Sequence, residues 1–166
     1  MEMIHDQEQT DQALEAFIKD GGTLAMLNDV SSDTLEQLYA LGFNHYGAGK
    51  HEEAHKIFQA LCVLDHYDPR FFLGLGACRQ AMGQFRQAID SYSYGAMMDL
   101  NEPRFPFHAA ECLLALGELD GAESGFYSAQ LIAAEKPALA DLAARADIML
   151  EAVKARRDME DEFTNT

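Results

Sequence analysis

This 166-residue sequence predicts an all-α fold built from a helix pair that recurs along the chain. Prolines recur at one constant spacing, at Pro69, Pro103 and Pro137. Glycines and aromatic residues follow the same spacing, at Gly49, Gly83 and Gly117 and at Phe58, Tyr92 and Phe126. A 34-residue period with small, aromatic and proline positions in this order is typical of tetratricopeptide repeats, each of which is a helix–turn–helix unit. The predicted architecture is therefore a helical solenoid.

The same period divides the chain into segments. We expect an N-terminal helical segment, three tetratricopeptide repeats, a C-terminal capping helix and a disordered tail, at residues 1–34, 35–68, 69–102, 103–136, 137–157 and 158–166. In the N-terminal segment, apolar residues at helical spacing precede the breaker Asp20-Gly21-Gly22, and a second apolar stretch follows it. After Pro137 apolar residues again recur on one helical face, whereas the tail is charged. Caps are needed because a single repeat cannot bury its own apolar face.

Within a repeat, each recurring residue type has a structural reason. The proline suits the first turn of a helix, since its φ is fixed and no N–H is needed there. The glycine at the position of Gly49 lies in the turn between the paired helices, where an unusual backbone angle is expected. The small residue at the position of Ala54 lets the paired helices approach closely. The aromatic residue four positions later is expected to be a wedge between neighbouring units.

Charge and composition exclude several classes of function. Acidic residues outnumber basic ones by 28 to 12, which gives a formal net charge of −16. Such a surface repels phosphate backbones and anionic lipid, so we expect neither nucleic acid nor a membrane as a partner. No apolar run approaches the ~20 residues that cross a bilayer, and the N-terminus lacks the features of a secretion signal. We therefore expect a cytoplasmic protein with free thiols, in which Cys78 and Cys112 are small buried residues.

The concave face of the solenoid is the candidate binding site. The first helix of each repeat lines this face through positions 2, 5, 9 and 12 of the repeat. These positions are Glu36, Tyr39, Phe43 and Tyr46, then Arg70, Leu73, Ala77 and Gln80, then Arg104, Phe107, Glu111 and Leu114, with His108 beside them. Three aromatic residues in one row indicate a surface for a partner, unless some of them pack against the N-terminal helices. Such a groove suits an extended or polyproline peptide, which predicts a peptide-binding module rather than an enzyme.

The two arginines of this face leave two interpretations open. Arg70 and Arg104 occupy equivalent positions in successive repeats and should stand about 8–10 Å apart on one wall. In one interpretation they hold carbonyl groups or an acidic side chain of a bound peptide. In the other they pair with Glu36 or Asp68 of this chain.

Two other functions fit the residues less well. The segment His51-Glu52-Glu53-Ala54-His55 matches the H-E-x-x-H motif of zinc proteases, in which two histidines bind zinc and the glutamate activates water. No third ligand is indicated, so we expect no metal, no cofactor and no enzymatic activity. The carboxylate clamp of chaperone-binding adaptors uses Lys and Asn at positions 5 and 9 of its first repeat, where this chain has Tyr39 and Phe43. A generic tetratricopeptide adaptor or scaffold is the alternative function.

Five stretches of the sequence resemble one known family, and together they extend the resemblance over most of the chain. They are Gly21–Leu27, Asp33–Tyr39, Phe58–Tyr67, Phe71–Gln80 and Glu102–Cys112. By these stretches the sequence is similar to the class II chaperones of bacterial type III secretion systems, the SycD/LcrH/PcrH family. The two ends of the chain depart most from the family.

The resemblance implies a cytoplasmic, non-enzymatic chaperone that binds two hydrophobic translocator proteins and keeps them soluble and apart before export. Family members hold a P-x-L-x-x-P-type segment of the translocator in the concave groove, and Tyr39, Phe43 and Tyr46 match their aromatic groove positions. The family also dimerises, often through its N-terminal helices, so the resemblance implies a homodimer of the free protein. The corresponding apolar residues here are Leu14, Phe17, Ile18, Leu24, Met26 and Leu27.

Overall fold

A computed structural model describes residues 12–164, which form helices and no strand. The helices are α1 (residues 12–19), α2 (Leu24–Leu27), α3 (Ser32–Gly47), α4 (His51–Leu64), α5 (Pro69–Ala81), α6 (Phe85–Met98), α7 (Arg104–Ala115), α8 (Leu119–Ala134) and α9 (Ala140–Thr164). A 3₁₀ turn at Pro137–Leu139 precedes α9. Residues 1–11 of the predicted N-terminal segment and 165–166 of the predicted tail lie outside the described residues. The all-α prediction is confirmed for the described part, whereas the boundaries of three repeats stay a prediction.

Helices α3 to α8 stack in sequence order, and each packs against the helix that follows it. Short turns that contain Gly49, Gly83 and Gly117 join α3 to α4, α5 to α6 and α7 to α8. The φ angle of Gly49 is 75°, and those of Gly83 and Gly117 are 74° and 77°. Glycine adopts this left-handed region without steric cost, so the predicted role of the repeated glycine is confirmed.

Acidic side chains accept hydrogen bonds from main-chain N–H groups in the first turn of α5 and of α7. Asp68 Oδ1 accepts a hydrogen bond of 3.0 Å from the main-chain N–H of Arg70, and Pro69 is the first residue of α5. Glu102 Oε1 accepts one of 3.1 Å from the main-chain N–H of Arg104 at the start of α7. Hydrogen bonds of this kind satisfy N–H groups that have no partner within the helix. They also place each carboxylate beside an arginine side chain at the edge of the groove.

The repeated aromatic residues form the centre of the core. The side chains of Phe58, Tyr92 and Phe126 are at most 2% exposed. The small residues that face them are required by the packing: a Cβ atom at Gly76 would lie 2.4 Å from the ring of Tyr92. A methyl group at that distance has to displace a buried ring, so the wedge position and the small position depend on each other.

The C-terminal end differs from the sequence-based expectation of a disordered tail after residue 157. Helix α9 continues through Thr164. Arg156 and Glu160 form an ion pair of 3.1 Å one turn apart on this helix, and Arg157 pairs with Glu123 of α8. A pair at i, i+4 supports the last turns of α9, whose residues after 157 are all exposed, and composition alone does not reveal this support. Among residues 12–164, no helix is both long and apolar enough to cross a bilayer.

Candidate functional site

A groove of about 450 Å³ lies on the face formed by α3, α5 and α7. Its lining consists of apolar and aromatic side chains with a few polar groups between them. The lining residues are Tyr39, Phe43, Tyr46, Phe58, Arg70, Leu73, Gly74, Ala77, Gln80, Ala81, Tyr92, Arg104, His108 and Glu111. Most of the residues that the sequence assigned to the groove are therefore brought together. This composition is typical of ligand-binding sites, in which apolar side chains provide the contact surface and a few polar groups orient the ligand.

One wall of the groove is a row of aromatic rings on α3. Tyr39, Phe43 and Tyr46 follow one another at helical spacing, so they share one face. The ring of Tyr39 is half-buried and lies 6.0 Å from the rings of both Phe58 and Phe71, whereas the side chain of Phe43 is 63% exposed. The row thus has one ring fixed in the core and one that faces solvent, which leaves apolar surface for a partner.

The two arginines of the groove are paired with acidic residues of this chain. Arg70 binds both Asp68 and Glu36, through Nη2 distances of 2.7 and 2.5 Å, and its guanidinium lies 4.9 Å from the centre of the Tyr39 ring. The hydrogen bonds that Arg70 donates to Asp68 and then to Glu36 raise the pKa of Arg70 above its ordinary value. Arg104 pairs with Glu102, a partner that the sequence interpretation did not name. Of the two interpretations of these arginines, the described structure therefore shows the one in which they pair with acidic residues of this chain.

The floor of the groove is a connected polar network. The hydroxyl of Tyr92 donates to Gln80 Oε1 over 2.7 Å, and Gln80 Nε2 donates to Glu111 Oε2 over 3.0 Å. His108 Nδ1 donates to the same oxygen of Glu111 over 2.8 Å. Burial raises the pKa of the Glu111 carboxyl, but the hydrogen bonds from His108 and Gln80 outweigh burial and hold that pKa below the usual range. The floor therefore carries an ionised carboxylate in a mostly apolar groove.

Three residues of the predicted groove lie outside its lining. The prediction is wrong for Phe107, which is 1% exposed, packs edge-on against Phe126 at 5.4 Å and lies under the guanidinium of Arg145. Arg145 belongs to α9, which packs behind the third helix pair and covers this position. Leu114 packs against the same core, and Glu36 contacts the groove through its ion pair with Arg70.

Sequence reasoning assigned Tyr92 and Phe58 to the core and overlooked that both also line the groove. The available signal was the hydroxyl at position 92, since Phe58 and Phe126 occupy the equivalent positions. The hydroxyl of a buried tyrosine normally has a hydrogen-bond partner. In this fold the partner, Gln80, lines the groove, so the hydroxyl indicates that Tyr92 borders the groove. Burial also raises the pKa of Tyr92, which keeps its hydroxyl protonated as a donor.

The residues assigned to dimerisation present apolar side chains at the N-terminal end. All but Phe17 are exposed, namely Leu14, Ile18, Leu24, Met26 and Leu27. Phe17 is half-buried, and a Cβ atom at Gly22 would lie 2.3 Å from its ring. These two helical stretches therefore leave an apolar surface outside the core, as a subunit interface requires.

The histidines of the H-E-x-x-H segment lie on α4. Among the described residues, no group of three His, Cys, Asp or Glu side chains has an arrangement that holds a metal ion. Nδ1 of His51 and Nε2 of His55 are buried, and neither has a hydrogen-bond partner within residues 12–164. The thiols of Cys78 and Cys112 are fully buried, as predicted, and burial raises the pKa of both to about 11.

Comparison with known proteins finds close relatives along most of the chain. No protein-family model matches it. Low calcium response locus protein H of Yersinia pseudotuberculosis serotype I is 65% identical over 157 residues, which are 95% of this chain and 94% of that protein. A T3SS complex from Aeromonas hydrophila contains a chain that is 82% identical, with a TM-score of 0.88 over 89% of this chain and 99% of that one.

Two further solved structures are of the Yersinia enterocolitica type III secretion chaperone SycD. In one, SycD is in complex with a peptide of the translocator YopD; it is 68% identical, with a TM-score of 0.74 over 77% of this chain and 98% of that one. The other is an alternative dimer of SycD, which is 66% identical, with a TM-score of 0.75 over 77% of this chain and 97% of that one.

Proposed function

Since the chain belongs to the family of low calcium response locus protein H and SycD, we propose that it is a type III secretion chaperone that binds translocator proteins. The family consists of non-enzymatic binders. The clients are two hydrophobic translocators, which the chaperone keeps soluble and apart before export. Because a client is held before it is exported, the place of action is the bacterial cytoplasm. A homodimer of the free protein, formed through the apolar N-terminal stretches, completes the proposal.

The observation that carries this proposal is the aromatic row of the groove, in which Phe43 and Tyr46 are exposed. In the SycD complex the bound partner is a peptide of a translocator. We assign the same kind of occupant here, a P-x-L-x-x-P-like segment whose apolar side chains cover Tyr39, Phe43 and Tyr46. A generic adaptor gives no reason for this row or for the 65% identity to a relative of this family.

The net charge of −16 suits a carrier of hydrophobic clients. A translocator carries segments that aggregate in water because they are apolar over the length of a bilayer. Mutual repulsion between strongly acidic complexes keeps them dispersed. The charge therefore acts on the solubility of the whole complex, while the groove provides the affinity.

Phe43 tests the groove assignment. An aromatic side chain has roughly 200 Å² of surface, so covering the 63% that is exposed removes roughly 130 Å² from water, worth up to about 3 kcal/mol at ~25 cal/mol per Å². We expect Phe43→Ala to weaken binding of a labelled P-x-L-x-x-P peptide by about 1–3 kcal/mol, or about 5- to 150-fold. The measurement is fluorescence anisotropy. The melting temperature should stay unchanged, since the ring is exposed.

The matched control is Tyr127→Ala, which removes an exposed aromatic ring of α8 that does not line the groove. It should bind the peptide like wild type. Equal losses in both variants, or wild-type affinity in Phe43→Ala, would place the peptide on another surface and refute the assignment.

A further inference from the structure

The two groove arginines differ in how many of their donors are already used. Arg70 donates to Asp68 through Nε at 3.1 Å and Nη2 at 2.7 Å, and to Glu36 through Nη2 at 2.5 Å and Nη1 at 3.3 Å. All three nitrogens therefore have acceptors, and the fixed guanidinium lies 4.9 Å from the centre of the Tyr39 ring. An arginine held in this way positions an aromatic ring and has little left to offer a ligand.

Arg104 has a donor to spare. Its Nε and Nη2 both donate to Glu102 over 2.8 Å, and Nη1 has no acceptor within residues 12–164. The sequence explains the difference. The position 34 residues before Arg70 is Glu36, which accepts its hydrogen bonds, whereas the position 34 residues before Arg104 is Arg70. An arginine side chain accepts no hydrogen bond, so Arg104 lacks this second partner. The Arg104 side chain lines the groove and is 49% exposed.

Glu111 has an acceptor to spare on the same helix. Its Oε2 receives the hydrogen bonds of Gln80 and His108, while the nearest cation to Oε1 is Arg145 Nη2 at 3.9 Å, beyond hydrogen-bond distance. Arg104 and Glu111 are separated by two turns of α7, which is about 10.5 Å along the helix axis. A six-residue extended segment is about 20 Å long, so one bound segment can contact both.

The charges of these groups are already balanced by neighbours. Glu102 neutralises Arg104, and the guanidinium of Arg145 lies 3.9 Å from Glu111. The groove therefore offers one N–H donor and one oxygen acceptor without a net charge that would select an ionised client side chain. A peptide main chain carries a donor and an acceptor at every residue except proline, and both need partners when they leave water.

We infer that Arg104 and Glu111 bind the client's main chain, with Arg104 Nη1 donating to a carbonyl and Glu111 Oε1 accepting from an N–H, while Arg70 is a positioning residue for Tyr39. This inference rests on the proposed function, because it concerns the same groove and the same peptide. It distinguishes two arginines that sequence position alone makes equivalent.

The probe is a capped, fluorescein-labelled peptide, Pro-Ala-Leu-Ala-Ala-Pro, whose side chains offer no charge or hydrogen bond. Four versions each carry one N-methyl group, at one of the non-proline residues, which removes a single main-chain N–H. Binding is measured by anisotropy to wild type, Arg104→Gln, Glu111→Gln and the matched control Arg70→Gln. Arg104→Lys tests rescue, since lysine restores a charged donor. Thermal melts check that each variant is folded.

We expect Arg104→Gln and Glu111→Gln each to weaken the unmodified peptide by about 5- to 30-fold, as loss of a partly exposed charge-assisted hydrogen bond predicts. One N-methyl position should weaken wild type to a similar extent and cost less than 2-fold in Glu111→Gln. In this variant the amide oxygen stays on the donors of Gln80 and His108 and the NH2 group faces the client, so both changes remove the same contact. Arg70→Gln should weaken all five peptides by one common factor, as displacement of Tyr39 requires. Arg104→Lys should recover part of the loss.

Two results would overturn the inference while leaving the groove as the site. One is equal weakening by Arg70→Gln and Arg104→Gln, with no N-methyl position coupled to Glu111. The other is failure of the alanine peptide to bind while a version with Asp or Lys at a variable position binds, since the groove would then recognise a side-chain charge. If no version binds wild type, the peptide-groove proposal itself fails, and this inference fails with it.

Discussion

Tyr92→Phe separates the hydrogen bond of the groove floor from the packing of the core. The substitution removes one hydroxyl and leaves the ring, which is 1% exposed, in its place between the helices. No cavity is created, so the change is confined to the 2.7 Å hydrogen bond with Gln80 Oε1. Gln80 loses the donor that orients its amide towards Glu111.

The magnitude follows from the surroundings of Gln80. A hydrogen bond contributes about 0.5–1.5 kcal/mol net to stability, and an acceptor left unpaired in the interior costs more. Gln80 is half-buried and borders the open groove, so water can replace the donor in part. We therefore expect a loss of about 1 kcal/mol. For a chain of this size, a loss of about 1 kcal/mol shifts the melting temperature by roughly 2–4 °C.

The assay is thermal unfolding followed by circular dichroism, together with urea unfolding of the same samples. Tyr127→Phe is the matched control, since its ring is 52% exposed and its hydroxyl has no hydrogen bond within the described residues. It should unfold like wild type. A melting temperature of Tyr92→Phe at or above that of wild type would show that the hydroxyl contributes nothing to the fold, and the groove floor would then not be preorganised by this contact.

Two further predictions concern Phe107 and Glu111. Phe107→Ala should destabilise the protein by about 3–5 kcal/mol in urea unfolding, because it empties a fully buried site. Phe43→Ala should leave the free energy of unfolding unchanged, because its ring is exposed. Similar losses of stability in the two variants would contradict the placement of Phe107 in the core and of Phe43 at the surface. The pKa of Glu111 is lowered in the folded state, so its stabilising effect is present above the ordinary value of 4.5 and is lost as the pH falls below that value. Melting temperatures measured from about pH 6 to about pH 3 should therefore decline less steeply in Glu111→Gln than in wild type, and parallel curves would refute the argument.

The repeat period was sufficient to predict what each repeat contains but not what adjoins it. Gly49 and Tyr92 occupy positions whose surroundings are the same in every helix pair, so spacing alone indicates a left-handed turn and a buried wedge. Phe107 has a groove position by the same rule, yet the element next to its helix pair is α9 rather than another pair. Arg145 of α9 covers the ring, and a contact with a helix that lies outside the repeats has no periodic signal.

The difference in hydrogen bonding between Arg70 and Arg104 could in principle be predicted from the sequence. Both follow an acidic residue at the end of the preceding repeat, and both side chains pair with it. The two arginines are distinguished only by the equivalent position one repeat earlier, which is Glu36 for Arg70 and Arg70 for Arg104. Arg70 therefore has an acceptor at each of its three nitrogens, whereas Arg104 has none at Nη1 within the described residues. The tail beyond residue 157 was misjudged for another reason: its helix depends on ion pairs, including the contact of Arg157 with Glu123, which composition does not reveal.

The pairing of polar groups within the groove bears on where the free energy of peptide binding comes from. Arg70 and most donors of Arg104 and the floor network have partners before any peptide binds. Binding therefore gains few new charge-assisted hydrogen bonds, and its free energy comes chiefly from covering rings such as Phe43. Apolar contacts of this kind do not depend on the position of a single atom, so the groove tolerates variation in the apolar side chains of a bound segment.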